Sequence, residues 1–169
     1  FTYEYYTSYF NEVGDEKRSA EVCKRGDGVW CVEKLINNEL MELEAFPNKL
    51  WDKDISVSLK GSYLCTKVFG SYMSKFKKGS IINVSSDLGI IAPDQRIYKN
   101  SGFVKPITYS VVKHGIIGLT KYTASYWGAK NIRCNAIAPG GMFNNQNKDF
   151  VRKINNLIPL NRMAKKGEY

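Results

Sequence analysis

The chain has 169 residues, 43% of them hydrophobic and 24% charged, which is enough apolar material for one compact domain with a real core. No run approaches the roughly 18 consecutive apolar residues of a membrane-spanning helix, and the opening Phe1-Thr2-Tyr3-Glu4 lacks the basic-then-apolar pattern of a secretory signal, so a cytoplasmic protein with no membrane partner is expected. The formal charge of +9 is unevenly placed: residues 1–50 carry 6 Lys/Arg against 10 Asp/Glu, and residues 51–169 carry 19 against 6. A basic half can attract nucleic acid. Its cations are spread, as at Lys75, Lys77 and Lys78, with no dense run interleaved with aromatics, so a solvated surface and no nucleic-acid partner are expected.

In chain order, residues 1–35 are hard to read, and helices near 2–12 and 16–24 are assigned from Tyr3, Tyr5, Tyr6, Tyr9 and Phe10 and from the glycines that interrupt them. Cys23, Cys31, Cys65 and Cys134 show no zinc-site spacing, so unlinked thiols and no metal are expected. Near Trp51, Asp52 and Asp54 read as acidic residues in a first helical turn. Apolar residues then recur at Ile55, Leu59, Tyr63, Val68, Phe69, Tyr72 and Phe76, which predicts a long amphipathic helix ending at Lys77-Lys78-Gly79. Ser80-Ile81-Ile82-Asn83-Val84-Ser85-Ser86 reads as a buried strand. A long loop, 87–106, leads to a second helix over about Ile107–Gly128, and a second strand, Ile132–Ala138, is stopped by Pro139-Gly140-Gly141. A last helix falls near Asp149–Ile158.

Helix, buried strand, helix, buried strand is the order of a parallel α/β sheet. Right-handed crossovers put the C-terminal strand ends on one edge, where open α/β sheets bind ligands. Ser85-Ser86 and Pro139-Gly140-Gly141 therefore mark one candidate site. Tyr109 and Lys113 stand four apart on one helix face, and a cation beside a phenol favours phenolate, which turns tyrosine into a usable general acid or base.

Gly79-Ser80-Ile81-Ile82-Asn83-Val84-Ser85-Ser86, then Tyr109-x-x-x-Lys113, Gly115-Ile116-Ile117-Gly118-Leu119-Thr120 and Asn131-Ile132-Arg133-Cys134-Asn135-Ala136-Ile137-Ala138-Pro139-Gly140 together resemble the short-chain dehydrogenase/reductase family. The resemblance covers residues 51–165 and implies a single Rossmann-like domain with a doubly wound parallel sheet, incomplete at both ends, of which 51–165 is the catalytic half. It implies hydride transfer with NAD or NADP, Ser86 on the substrate oxygen, Tyr109 as acid/base, and Lys113 on the nicotinamide ribose. Pro139 and Gly140 match the turn beside the nicotinamide. It also implies a homodimer or homotetramer joined through the two long helices.

Three features depart from the family pattern. Ser58 aligns with the relay asparagine, Asn144 with a threonine that contacts cofactor, and the gap from Ser86 to Tyr109 is long. No glycine-rich dinucleotide fingerprint is present. Leu35-Ile36-Asn37-Asn38-Glu39 is similar to the family's Asn-Asn-Ala-Gly strand end, which makes Asn38 a cofactor residue and predicts a preceding strand and glycine loop outside the sequence. The stretches after Ser86 and after Gly140 are similar to a branch linked to bacterial surface-sugar and flagellin-glycan synthesis. A small sugar-like secondary alcohol or ketone is the preferred substrate class, with Arg96 and Gly141 against it; a 3-oxoacyl thioester is the runner-up. A non-catalytic basic α/β binding protein is the rival from another class.

Overall fold

The computed structural model describes residues 42–99 and 104–169, all within one compact unit. The helices predicted near 2–12 and 16–24, and Asn38, lie outside the described residues. The first long helix is continuous but not uniform. It opens as α1 (Asn48–Asp54), passes through a π-helical segment (Ile55–Lys60), and continues as α2 (Gly61–Lys75). Pro47 stands at the cap, where its missing N–H costs nothing. The start at Asn48 takes Asp52 and Asp54 past the first turn, contrary to the dipole-end reading. Asp54 is instead buried.

The helix ends at Lys75, three residues before the predicted Lys78. The left-handed residue that closes it is Lys77, φ 48°, and the Lys78 N–H reaches back to the Met73 carbonyl. Gly79 opens the strand because the Met73 side chain occupies the place a Cβ would need.

Strands β1 (Gly79–Val84) and β2 (Ile132–Ile137) pair in parallel, Gly79 opposite Ile132 through Val84 opposite Ile137. Helix α3 (Ile107–Trp127) connects toward β2 and packs against it. Its buried residues Thr108, Val112, Ile116, Thr120, Thr123 and Trp127 recur every three or four positions, one stripe of a 3.6-residue helix. The stripe meets Ile132 and Cys134, and Asn83 Nδ2 donates to Thr120 Oγ1 across it at 2.9 Å. Gly70 lets α2 come against the Trp127 ring, where a Cβ would collide with the indole. A last helix, α4 (Lys148–Asn155), begins one residue before the predicted Asp149.

Two expectations about burial change. The strand read as buried on both faces exposes Ile82 and Val84, 64% and 55% accessible, because the described helices α2 and α3 cover one face of the pair. The apolar residues Tyr63, Val68, Phe69, Tyr72 and Phe76, read as a core face, are exposed, and the side that α2 buries holds Thr66 and Gly70.

Candidate active site

The C-terminal ends of β1 and β2 stay joined beyond the ladder. The Ser85 N–H donates to the Ile137 carbonyl at 2.8 Å and the Asp87 N–H to the Pro139 carbonyl at 3.0 Å, so the serine pair and the Pro-Gly turn sit at one edge. Ser85 and Ser86 are buried, and their hydroxyls do different things. Ser85 Oγ donates to the Lys113 carbonyl at 2.8 Å and ties the strand end to α3. Ser86 Oγ donates to Asp87 Oδ1 at 2.6 Å and accepts from the Leu88 N–H at 3.3 Å, capping a 3-10 turn over Asp87–Gly89. Gly89 lies so close to α3 that a Cβ would stand 2.7 Å from the Lys113 carbonyl oxygen.

Tyr109 is in the first turn of α3, half-buried, and Lys113 follows one turn later. Lys113 Nζ donates to the Val84 carbonyl at 3.3 Å and stands 5.6 Å from the Tyr109 ring centroid. Lys105 lies nearer, with Nζ 3.7 Å from that centroid. The phenol ring thus has two ammonium groups within cation–π range. Lys105, Tyr109 and Lys113 follow a spacing of four and four, so the second cation was visible in the sequence. Pro106, the cap of α3, placed it outside the helix and hid it.

Lys113 therefore reaches β1 two residues before Ser86, and Tyr109 lies one helical turn before Lys113. Ser58 falls in the π-helical segment, its hydroxyl buried with no hydrogen-bond partner among the described residues. Its carbonyl accepts from Ser62 Oγ at 2.7 Å. A single π-helical turn inside an α-helix is a recurrent mark of functional sites. Asn144 is exposed, its backbone N–H held by Gln146 Oε1 at 2.7 Å. Gly141 is a packing position, because the room of its missing side chain is taken by Met163 and Ile154. Arg96 stands apart from the serine and tyrosine: its side chain is 89% exposed and its fork grips Asp94, with Nη2 to Oδ2 at 2.7 Å. That guanidinium holds the Asp94 carboxyl down at about 2. An open cavity lined by Phe143, Gln146, Lys148, Arg152 and several asparagines includes none of Ser86, Tyr109 or Lys113. Its wide mouth makes it a surface recess.

Two further residues had no site role legible in the sequence, where Asp54 reads only as a first-turn acid. Asp87 has just been described. Asp54, buried on α1, accepts a short hydrogen bond from the Thr108 hydroxyl, one residue before Tyr109. Burial pushes the Asp54 carboxyl up, and the Thr108 hydroxyl and Lys53 offset part of that rise.

The residues can receive a nicotinamide dinucleotide. The Gly140 N–H donates to the Tyr169 hydroxyl, 3.0 Å away, and is a backbone donor that would suit a nicotinamide carboxamide. A Cβ on Gly140 would meet Asp87 Oδ2 and that hydroxyl at 3.6 Å, an ordinary contact distance.

Comparison with known proteins agrees with the geometry. The family model described as enoyl-(acyl carrier protein) reductase matches residues 31–169. The chain is 34% identical over 145 residues to the 3-oxoacyl-[acyl-carrier-protein] reductase FabG of Thermotoga maritima, covering 81% of this chain and 55% of that one. It is 35% identical over 101 residues to the post-translational flagellin modification protein A of Campylobacter coli, covering 60% and 40%. A crystal structure of a short chain dehydrogenase from Leptospira borgpetersenii with bound NAD+ superposes with a TM-score of 0.66 at 34% identity, covering 72% of this chain and 46% of that one. The chain thus spans about half the length of the curated relatives it matches. No helix among the described residues is long and apolar enough to cross a membrane. Since the family match takes in every described residue, strand ends and catalytic candidates alike, the chain belongs to the short-chain dehydrogenase/reductase family.

Proposed function

We propose that the whole protein is an NAD(P)-dependent oxidoreductase acting on a secondary alcohol or ketone of a sugar-like substrate in the cytoplasm. The observation that carries this is the Lys113 Nζ bond to the Val84 carbonyl, which brings the helix bearing Tyr109 to the strand end that leads to Ser86, together with the Asp87 N–H bond to the Pro139 carbonyl. When bound, the nicotinamide supplies the hydride acceptor or donor. Lys113, Tyr109, Pro139, Gly140, Asn144 and Asn38 are the residues assigned to hold it. Tyr109 exchanges the proton of the reacting oxygen, helped by the cations at Lys105 and Lys113. Ser86 hydrogen-bonds that oxygen, and the orphaned Ser58 hydroxyl has the chemistry to hold a relay water.

The sugar preference is supported by the resemblance of the stretches after Ser86 and Gly140 to a surface-sugar branch of the family and by the polar segment 94–99 between the two catalytic elements. Arg96 keeps one guanidinium nitrogen, Nη1, beyond its grip on Asp94 for an anionic group. A 3-oxoacyl thioester is the second reading, favoured by the likeness to a 3-oxoacyl carrier-protein reductase. Assembly as a homodimer or homotetramer is supported by the exposed aromatic residues Tyr63, Tyr72 and Phe76 of α2 and Tyr122 and Tyr126 of α3. The test is Tyr109→Phe in the whole protein, with NAD+ and NADP+ each supplied. Turnover is expected to fall on the order of 10²–10⁴-fold with the fold intact, and retention of more than a tenth of the activity rejects the assignment.

A further inference from the structure

The hydroxyl assigned to the substrate oxygen is already engaged. Ser86 Oγ gives its one proton to Asp87 Oδ1 at 2.6 Å, and one of its lone pairs takes the Leu88 N–H. A serine has a single donor hydrogen. Ser86 can accept from an arriving alcohol in this state, but it has no proton left to donate to a carbonyl or developing alkoxide. Either the catalytic hydrogen bond forms at the expense of the Asp87 contact, or something replaces Ser86 on the carboxylate.

Asp87 is placed for such a replacement. Its backbone N–H is fixed on the Pro139 carbonyl, and its Oδ1 also accepts the Leu88 N–H at 2.8 Å, so the carboxylate cannot swing away without undoing the turn. Its Oδ2 faces Gly140, 3.6 Å from where a Cβ would stand. No ion pair among the described residues involves it. A carboxylate accepts only, with several lone-pair sites on two oxygens. The group that suits it is a ligand hydroxyl, and that hydroxyl must sit next to the oxygen held by Ser86, because Oγ and Oδ1 are one hydrogen-bond length apart.

We infer that Asp87 is a specificity-determining residue that selects substrates bearing a hydroxyl adjacent to the reacting carbinol, that is, vicinal diols. One hydroxyl of the pair donates to Asp87 and takes the place of Ser86. The released Ser86 proton then turns to the neighbouring oxygen, the one that exchanges its proton with Tyr109. The same carboxylate disfavours a carboxylate or phosphate beside the reacting carbon, so the substrate is uncharged at that end. A simple secondary alcohol, or a 3-oxoacyl thioester, brings no hydroxyl to Asp87 and must break the Ser86–Asp87 bond uncompensated. This inference rests on the sugar-like oxidoreductase reading and narrows it.

The test compares cyclohexanol, cis-1,2-cyclohexanediol and acetoacetyl thioester with the whole protein, supplying oxidised or reduced NAD and NADP as each direction requires. Wild type, Asp87→Ala and Asp87→Asn are measured, and circular dichroism checks that both variants fold. Wild type is expected to favour the diol over the mono-alcohol in kcat/KM by on the order of 10-fold or more, the scale of one charge-assisted hydrogen bond. Asp87→Ala is expected to bring that ratio near one, mainly by losing diol activity, and Asp87→Asn to fall between, since an amide oxygen still accepts. If wild type oxidises the diol and the ratio is the same in Asp87→Ala, the inference fails and the proposed function stands. Reduction of the thioester alone overturns the sugar reading and this inference together. Turnover of none of the three overturns the oxidoreductase proposal as drawn and the inference with it.

Discussion

Gly89→Ala tests how tightly the strand end and α3 define the site. The new Cβ would stand 2.7 Å from the Lys113 carbonyl oxygen and 2.8 Å from its carbonyl carbon, and it would also meet Ser85 Oγ. Ordinary carbon contacts lie near 3.5 Å, so the 3-10 turn and α3 must separate by roughly 0.7–1 Å. The nearest atoms on α3 are backbone, which cannot rotate aside as a long side chain can. Overpacking of this kind costs about 1–3 kcal/mol. The Ser85 Oγ bond to the Lys113 carbonyl, 2.8 Å long, spans the same gap and weakens with it. Ser86 rides on the turn and Lys113 on the helix, so the misplacement enters the chemistry, where about 1 Å can cost on the order of 10²-fold in rate. Thermal unfolding and steady-state kinetics of the whole protein would show a lowered Tm with kcat reduced 10- to 100-fold. Adding Ser85→Ala removes the Oγ collision but leaves the carbonyl one, so only partial recovery is expected. A Gly89→Ala protein with kcat within twofold of wild type and an unchanged melting curve would refute the close approach and the coupling drawn from it.

Lys113→Met is expected to weaken cofactor binding and move the pH–rate profile upward, as the phenol relaxes towards its ordinary pKa near 10. Lys105→Met should move the profile in the same direction without changing the cofactor Kd; an unmoved profile in both variants shows that neither cation tunes Tyr109. Because the Asp54 carboxyl is raised by burial, the folded protein retains a proton that the unfolded chain has released, and stability declines as pH rises from about 3.8 through the folded value. Asp54→Asn abolishes that decline, so denaturant midpoints measured from pH 3 to 8 should diverge in favour of the variant as pH increases; parallel curves would contradict the raised carboxyl. Arg96→Ala should raise KM for an anionic sugar several-fold and leave KM for cofactor unchanged, and equal changes in both constants would remove Arg96 from the substrate side.

The elements and the site were legible to different degrees for physical reasons. Periodicity located α3 and both strands to within a residue or two, since a 3.6-residue stripe and a β-branched run are local signals. The strand-end serines and the Tyr-x-x-x-Lys pair were legible because the topology of a parallel sheet decides which ends share an edge. Burial was not. Tyr72 and Phe76 are apolar yet outward, and Thr108 and Asp54 are polar yet inward, because the latter two satisfy each other across 54 positions of chain. No window along the sequence contains that pairing. The π-helical turn at Ser58 and the left-handed Lys77 also have no compositional mark: any residue can be pressed into a π turn, and lysine is not a residue expected at positive φ.

The register of β1 against β2 has a consequence for how the molecule comes to work. Gly79 pairs with Ile132 and Val84 with Ile137, so every rung joins residues roughly fifty apart, and closing such a span precedes any gain from the pairing. Contacts of this separation make folding slow. The serine turn hangs from one strand and the Pro-Gly turn from the other, held together by the Asp87 to Pro139 bond. The catalytic edge therefore cannot form piecewise as the chain leaves the ribosome. It depends on the pairing of the two strands, and the onset of activity during refolding is expected to follow that pairing.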